Sequence, residues 1–518
     1  MLRKQSTQKD FFDSYVYERL LPKEHILLDI RQNLDFSFID EETKHFYSDD
    51  TRGRPPFAAE VIFKILFLEF FYSLSDYEVV EQVKTNILFR YFVGLRIAQD
   101  TPDDTTLVKF RTRLGEAGFK RLFDRIVGQA KQKGLIKGRL KILDATHIQA
   151  DAALQGTVNF LRQARKVIVR KISKSHSEEA AILKEKFVNE DKLFTPPTNE
   201  QIKEELACSR EFIKEVKDTF NPERIDPPNT SKEGSNPDAE ELLALLETAV
   251  NQQERKADNP GHSQPEEIIS FIDTDARFGC KSEKKKFVGY KAHISLDEGS
   301  SIVTSVRTIG GNRNEGAHQE VEKLLEEDAA KDITQGAVCA DSLYDSYENR
   351  NQIHKQRMRA FIPSRTKAGK IKRHIDNFIY DREKDTIICP EGYSPISKTK
   401  QEQGSLYIFS TRQCRNCPNI RNCPTPNGDR IRVFVSNDYR LKLMDEIPDK
   451  LDAFIKRKGI ERKFGEVKKW HGLARARYRQ RWRVAIQSFM TFSVVNIKRI
   501  VTLLSFPPAY ALCKAGFG

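Results

Sequence analysis

A short apolar run, KILDATHIQA, is interrupted at its centre by a single carboxylate, Asp144. A brief apolar run of this kind is a strand signature, and burying an ionised carboxylate in a strand is costly unless something positive binds it. The same pattern recurs much later, where GAVCAD runs small and apolar into Asp341, followed by Ser-Leu-Tyr-Asp-Ser. Both aspartates would project from, or end, strands of one sheet, which lets two distant parts of the chain converge. Either aspartate alone also reads as a turn former or a helix cap.

The surroundings point to an α/β core. Strand-like runs FVGYKAHISLD, SIVTSVRTI and GAVCAD alternate with helical stretches. Residues 1–135 read as a helical N-terminal DNA-binding domain. In GRPPFAAEVIFKILFLEFFYSLSDYEVVEQV, Pro55 and Pro56 suit a first helical turn. Asp76 could cap a second helix, and Pro102-Asp-Asp-Thr-Thr starts a third, LVKFRTRL, with basic residues on its far face. Short helices and a basic final helix are compatible with a helix-turn-helix module. Residues 138–505 read as a catalytic domain. Within it, 152–268 is a charged helical insertion containing an amphipathic helix at Ala239–Gln253, with linkers at Asn221–Asp238 and Arg255–Glu266.

Bulk composition narrows the class. A chain of 518 residues allows two to four domains. The net charge of +13 suits an anionic partner, or merely a basic surface. The greasiest run, Val61–Tyr72, carries Lys64 and Glu69 and reads as a buried helix rather than a membrane span. The N-terminal MLRKQSTQKDFF lacks the apolar core of a signal peptide. Eight scattered cysteines suggest a reducing compartment. The expectation is a cytoplasmic protein with access to nucleic acid and no membrane partner.

A third acid comes from AFIKRKGIERKFGEVKKWHGLARARYRQRWR. On a helix, Arg457, Glu461 and Lys468 lie on nearly one face, because steps of four and seven residues realign side chains. Twelve Lys or Arg stand against two Glu between Lys456 and Arg483. A solvated basic helix would explain the charge, but not Trp470, Tyr478 and Trp482 set among it. Interleaved basic and aromatic residues suit phosphates and unstacked bases. Candidate DNA contacts are therefore Arg457, Lys468, Trp470, His471, Arg475, Arg477 and Arg479.

These segments resemble the DDE-type transposases of bacterial insertion sequences, whose third acid lies in a Tyr-x2-Arg-x3-Glu-x6-Lys motif. This chain reads Phe454-x2-Arg457-x3-Glu461-x6-Lys468. LDATHIQAD, CADSLYDSYEN, GRPP…PDDTTLVKFRTRL, DTDARFG…FVGYKAHISLD and HGLARARYR…NIKR are similar to that family in the same order, over most of the chain outside 152–268. The resemblance implies a ribonuclease-H-like catalytic core with a helical N-terminal domain. It also implies catalytic, metal-binding Asp144, Asp341 and Glu461. Two Mg²⁺ ions would be held there, with Mn²⁺ able to substitute; Asp144 would bridge both, Asp341 would hold one and Glu461 the other. Water would free a 3′-hydroxyl at the transposon end, and that hydroxyl would attack target DNA. The implied partners are double-stranded DNA, as terminal inverted repeats and target, and a second copy in a homodimer on DNA near the bacterial nucleoid. Phe454 departs from the motif and lacks the tyrosine hydroxyl. Glu466 is a rival third acid outside the motif spacing. Two other functions share these features: a metal-dependent nuclease of the same fold without strand transfer, and an inert DNA-binding derivative.

Cys389, Cys414, Cys417 and Cys423, within a subdomain at 385–430, contain a C-x2-C pair that suits structural Zn²⁺, with reduced, packed cysteines as the alternative. His147 could approach the metal site or be structural. Asp273 and Asp275 precede a turn and match a non-catalytic segment of the family, and Asp345 reads as a helix cap.

Overall fold

The computed structural model describes residues 11–47, 57–219, 237–258, 264–282, 285–334, 336–364, 378–381, 383–419, 426–427, 430–445 and 449–505. Pro55, Pro56 and most of the expected 221–238 linker lie outside the described residues.

The N-terminal region is helical: α1 (Phe11–Leu20), α2 (Ile26–Asn33), α3 (Phe38–Thr43), α4 (Ala59–Tyr72), α5 (Asp76–Thr85), α6 (Ile87–Val93) and α7 (Asp104–Gln132). The α4 helix is apolar nearly all round and is buried nearly throughout, as such a helix must be. Its two buried charges are matched: Lys64 pairs with Glu60 one turn back, and Glu69 meets Arg111 at 3.2 Å. Two details differ from the sequence expectation. Ser75, not Asp76, caps α5, with Glu78 completing a capping box, while Asp76 pairs with Arg111. Arg111 is consequently buried rather than displayed on the far face of α7. Asp103 caps α7, which bends at Gly115, where φ is +60°.

The central sheet begins with β1 (Leu140–Gln149). Four helices then intervene: α8 (Thr157–Ile172), α9 (Ser177–Phe187), α10 (Asn199–Thr219) and α11 (Ala239–Asp258). They share a core of their own that includes Leu161, Ile168, Phe212 and Leu246. Arg165 is buried there against Glu205, Ser209 and the Phe187 carbonyl. The α11 helix runs to Asp258 and so takes up the first residues of the expected second linker.

The sheet resumes with β2 (Arg277–Ser282), β3 (Lys285–Asp297) and β4 (Ile302–Gly310), then α12 (His318–Ala330), β5 (Ala337–Cys339), α13 (Tyr347–Lys355) and β6 (Arg359–Phe361). Strand order is β2-β3-β1-β5-β6, with β4 also paired to β3. β1 runs antiparallel to β3 and parallel to β5, and β5 runs parallel to β6. An antiparallel half is thus joined at β1 to a parallel half, the mixed α/β architecture expected of a ribonuclease-H-like core.

Next come β7 (Ile379–Asp381), β8 (Thr386–Ile388), β9 (Ser397–Gln401), β10 (Gly404–Phe409), α14 (Thr411–Arg415), β11 (Pro426–Asn427), β12 (Arg430–Ser436) and α15 (Asn437–Met444). Phe378, Ile387, Tyr407, Phe409, Val433 and Val435 form their small core. Asp445, just after α15, accepts from Arg350 of α13 at 3.1 Å and from the Ala360 backbone at 3.0 Å, which ties this subdomain to the main sheet.

The chain ends its described course with α16 (Asp449–Arg457), α17 (Gly459–Trp470) and α18 (Arg481–Ser505). The α18 helix is long and apolar enough to cross a membrane, but 89% of its apolar window is buried inside the protein. It packs against α4, α7 and β4. Its buried Asn496 holds the Val303 backbone of β4 through both N–H and C=O, at 2.9 and 2.7 Å. One apolar cluster therefore runs from the N-terminal helices through α18 to β1, β3 and β4. The N-terminal helices are built onto the core rather than hung from it.

Beneath the sheet, Lys141 of β1 and Asp328 of α12, both essentially inaccessible, meet at 2.6 Å. Ser295, Thr304 and Ser305 also donate to Asp328. Burial alone would raise this carboxyl, yet Lys141 and Lys331 hold it below its ordinary value. Removing one partner of such a pair strands a buried charge. Lys141→Met should lower stability by about 3 kcal/mol, measured as a fall in the chemical denaturation midpoint. An unchanged midpoint would show that the hydroxyls alone suffice for Asp328.

Candidate active site

The parallel pairing of β1 with β5 sets Ile142 beside Cys339. Two residues further on come Asp144, still within β1, and Asp341, past the end of β5 in the turn that follows it, near enough for Asp341 to act on Asp144 electrostatically. Asp144 accepts its own following backbone N–H, from Ala145 at 2.8 Å, and an Arg457 guanidinium at 3.2 Å. Its side chain is 18% exposed. Burial pushes its carboxyl up to about 7; the Ala145 N–H and Arg457 oppose this, while Asp341 and Glu315 add to it. Asp341 caps the turn Ser342–Tyr344 by accepting from Leu343 N at 2.8 Å.

Arg457 ends α16, and α17 starts after a turn at Lys458, so the basic segment is two helices and not one. The α17 helix packs along β1. Arg457 reaches Asp144, and at the far end Lys468 Nζ lies 3.3 Å from His147 Nδ1. Glu461 lies between these anchors, exposed on the first turn of α17. Glu466 turns away to Lys463 at 3.2 Å and to Lys498 of α18 at 2.8 Å. Despite the burial that would raise it, Lys498 and Lys463 hold its carboxyl below its ordinary value. Phe454, where the motif has tyrosine, packs partly buried against Leu140, Ala337, Cys339 and Phe361 at the β1–β5–β6 end of the sheet.

Asp144 and Asp341 suit a hard divalent cation. Their donors are carboxylate oxygens, and the positive charge near Asp144 is too small to keep it fully ionised at neutral pH. The structure does not bring Glu461 into the same cluster. Among the described residues no group of three or more His, Cys, Asp or Glu is arranged to hold a metal ion.

The expected DNA contacts divide in two. Trp470 is 59% exposed, with Lys469 over its ring, and Arg475 and Arg479 are exposed, both resting on Asp151. His471 is corrected: it is buried, 3.0 Å from the Phe70 carbonyl and 3.2 Å from Lys498 Nζ, where it joins the N-terminal helices to the core. Arg477 is corrected likewise. It binds Glu69 and the Leu74 carbonyl and lies over the Phe70 ring. Tyr478 and Trp482 are turned inward as well. His471 and Arg477 have aromatic partners on α4, Phe71 and Phe70, that the local pattern could not reveal.

Cys389, Cys414 and Cys417 are neighbours: burial raises the Cys414 thiol, and the other two raise it further. Cys423 lies outside the described residues. Asp273 and Asp275 accept the backbone N–H groups of Gln480 and Arg481 and so hold the start of α18, a structural task. Asp345 binds Arg350, and Ser346 rather than Asp345 caps α13. Glu315, a carboxylate that sequence reasoning missed, lies near enough to Asp144 and Tyr344 to act on both electrostatically.

Two family matches accompany this geometry. Residues 15–113 match a family described as a Transposase domain, and residues 255–497 match one described as a Transposase DDE domain. The second match starts within the last turn of α11, near the end of the helical insertion, so β1 and Asp144 lie outside it. No solved structure matches the chain.

The raised carboxyl of Asp144 has a consequence for stability. Between its ordinary value of 3.8 and about 7, the folded protein keeps a proton that the unfolded chain has released. Stability therefore falls as pH rises through that window, and the burial penalty is fully present above it. Asp144→Asn should stabilise the metal-free protein by about 2 kcal/mol at pH 8 and much less near pH 4, seen as a melting-temperature gain at the higher pH only. Equal gains at both pH values would remove the ionisation argument.

Proposed function

We infer that the chain belongs to the DDE-type transposases of insertion sequences, enzymes of the polynucleotidyl-transferase type with a ribonuclease-H-like core that act on DNA and use divalent metal ions. On that premise we propose that Asp144, Asp341 and Glu461 are its three catalytic acids. They would serve both cleavage at the transposon ends and strand transfer into target DNA, within the cytoplasm. The observation that carries this reading is the electrostatic influence of Asp341 on Asp144 at the end of the parallel β1–β5 pair, with Arg457 3.2 Å from Asp144.

Two ions of the Mg²⁺ type, for which Mn²⁺ can substitute, would activate the attacking oxygen and stabilise the leaving one when bound. Asp144 is largely buried, its side chain 18% exposed, and burial makes its charge costly enough that a nearby cation would favour it. Asp341 is held on the turn after β5 by its own cap. Glu461 is supported as third acid by its place between the Asp144 and His147 anchors of α17. Glu466 faces α18 and is already neutralised by two lysines.

Arg457, Lys468, Arg475 and Arg479 would bind phosphates of the DNA backbone, and Trp470 would stack on an unpaired base. Arg475 sits where β1 is stitched to the basic loop: Gln149 exchanges backbone hydrogen bonds with Ala474 and Ala476 at 3.0 and 2.7 Å. Gln487 of α18 fixes the same loop through the Gly472 and Arg475 carbonyls and the Arg477 N–H. The arginines are thus presented on a rigid edge continuous with the strand that carries Asp144. Two such chains pairing two DNA ends would form the homodimer.

Asp144→Ala, Asp341→Ala and Glu461→Ala should each abolish Mg²⁺-dependent cleavage of the element's ends while end binding in a gel-shift assay stays near wild type. Glu466→Ala should retain cleavage. Joined products absent from an otherwise active enzyme would favour the nuclease reading. Spacing also supports one structural zinc at Cys389, Cys414, Cys417 and Cys423, and elemental analysis of the purified chain should find one zinc, lost in Cys414→Ser.

A further inference from the structure

The loop between β4 and α12 brings a carboxylate to the catalytic pair that the three-acid reading does not use. Gly316 is pressed against the turn that Asp341 begins. A Cβ added at Gly316 would stand 2.1 Å from the Leu343 carbonyl oxygen, so only glycine allows the approach. Asn349, fully buried, locks the two segments together: its Nδ2 donates to the Gly316 carbonyl at 2.8 Å and the Tyr344 carbonyl at 3.0 Å. Glu315, one residue earlier, is thereby fixed beside the Asp341 turn.

The position of Glu315 is maintained from β3. Lys291 Nζ lies 2.6 Å from its carboxylate and also donates to the Arg313 carbonyl at 2.9 Å. The two side chains are 12% and 15% exposed. The charges gathered here are Asp144, Asp341 and Glu315 against Arg457 and Lys291, an excess of one negative charge before Glu461 is counted. A protein gains nothing in stability by adding a carboxylate to a site already short of positive charge. A divalent cation reverses that balance, because each nearby negative charge then strengthens its binding.

We propose that Glu315 is a positioning residue of the catalytic centre, held ready by Lys291, that accepts hydrogen bonds from water around the divalent cation at Asp144 and Asp341 and so strengthens binding of the cation. The inference rests on the two-aspartate site proposed above and adds to it a carboxylate outside the three-acid motif. Carboxylates placed behind metal ligands typically change metal affinity by about 10- to 100-fold.

The test uses the full chain as wild type, Glu315→Gln, Glu315→Asp and Asp144→Asn, with direct Mn²⁺ binding followed by titration calorimetry and Mg²⁺ titration of end cleavage. Glu315→Gln keeps the size and the hydrogen-bonding shape of the side chain, and unchanged circular dichroism and end binding establish that it is folded. We expect its Mn²⁺ affinity to fall by about tenfold, with the Mg²⁺ concentration for half-maximal cleavage rising in step and the rate at saturating Mg²⁺ largely preserved. Glu315→Asp should recover part of the affinity. Wild-type Mn²⁺ affinity in Glu315→Gln overturns the proposal, as does a lost saturating rate with unchanged affinity. If Asp144→Asn also binds Mn²⁺ as wild type does, the two-aspartate site itself falls; if only Asp144→Asn loses binding, that site stands and the role of Glu315 alone is refuted.

Discussion

The parallel pairing of β1 with β5 forces two carboxylates into proximity at the edge of an apolar interior, and much of the surrounding structure answers that strain. Burial in a poorly hydrated place raises the proton affinity of Asp144, and the neighbouring negative charge of Asp341 adds to it. Arg457 offsets part of the effect at Asp144, yet its carboxyl still rises to about 7. Near neutral pH this carboxyl is close to its midpoint, and a cation of the kind proposed above would complete its ionisation. Stability is given up locally for binding, as is common where a fold carries a site.

Holding that strained pair needs a stiff frame. Lys141 and Asp328 brace β1 from beneath, and Tyr344, in the turn that follows Asp341, is fixed by a 3.0 Å contact with His293 of β3. The His293 imidazole is wholly buried, which drives its proton affinity down to about 3 and keeps the ring neutral. The turn is therefore held by an uncharged contact that does not disturb the acids. On the opposite side α18 serves as a central post. Its buried Asn496 satisfies the β4 backbone, while its apolar surface receives α4 and α7.

Much of this frame is legible in the chain, and the reasons for success and failure are physical. Asp144 and Asp341 stand out because a charge in an apolar strand conflicts with its surroundings, and a conflict is visible locally. The alternation that announces the sheet is equally local. Burial of an arginine or aromatic is not, since it depends on what a distant segment presents. His471, Arg477, Tyr478 and Trp482 read as a nucleic-acid surface because their neighbours are basic. In the fold, Phe70 and Glu69 of α4 and the Leu74 carbonyl just after it draw His471 and Arg477 inward. Glu315 shows the converse. It sits in GGNRNEGAH, a polar stretch that reads as an ordinary turn, and its meaning comes wholly from the close approach of Gly316 to Leu343.

The inward turn of those residues changes how DNA binding and chemistry are connected. A helical N-terminal domain on a flexible tether could bind DNA without the core registering it. Here Glu69 of α4 bonds Arg477, and Phe70 of the same helix holds His471, in the loop that exposes Arg475 and Arg479. That loop is in turn stitched to Gln149 at the end of β1, the strand bearing Asp144. The N-terminal helices therefore have a short route of direct contacts to Asp144, through side chains that the local sequence pattern assigns to DNA. The basic segment is thus divided: Arg475 and Arg479 are exposed and available to take the phosphate contacts proposed above, while His471 and Arg477 turn inward and join the N-terminal helices to the core.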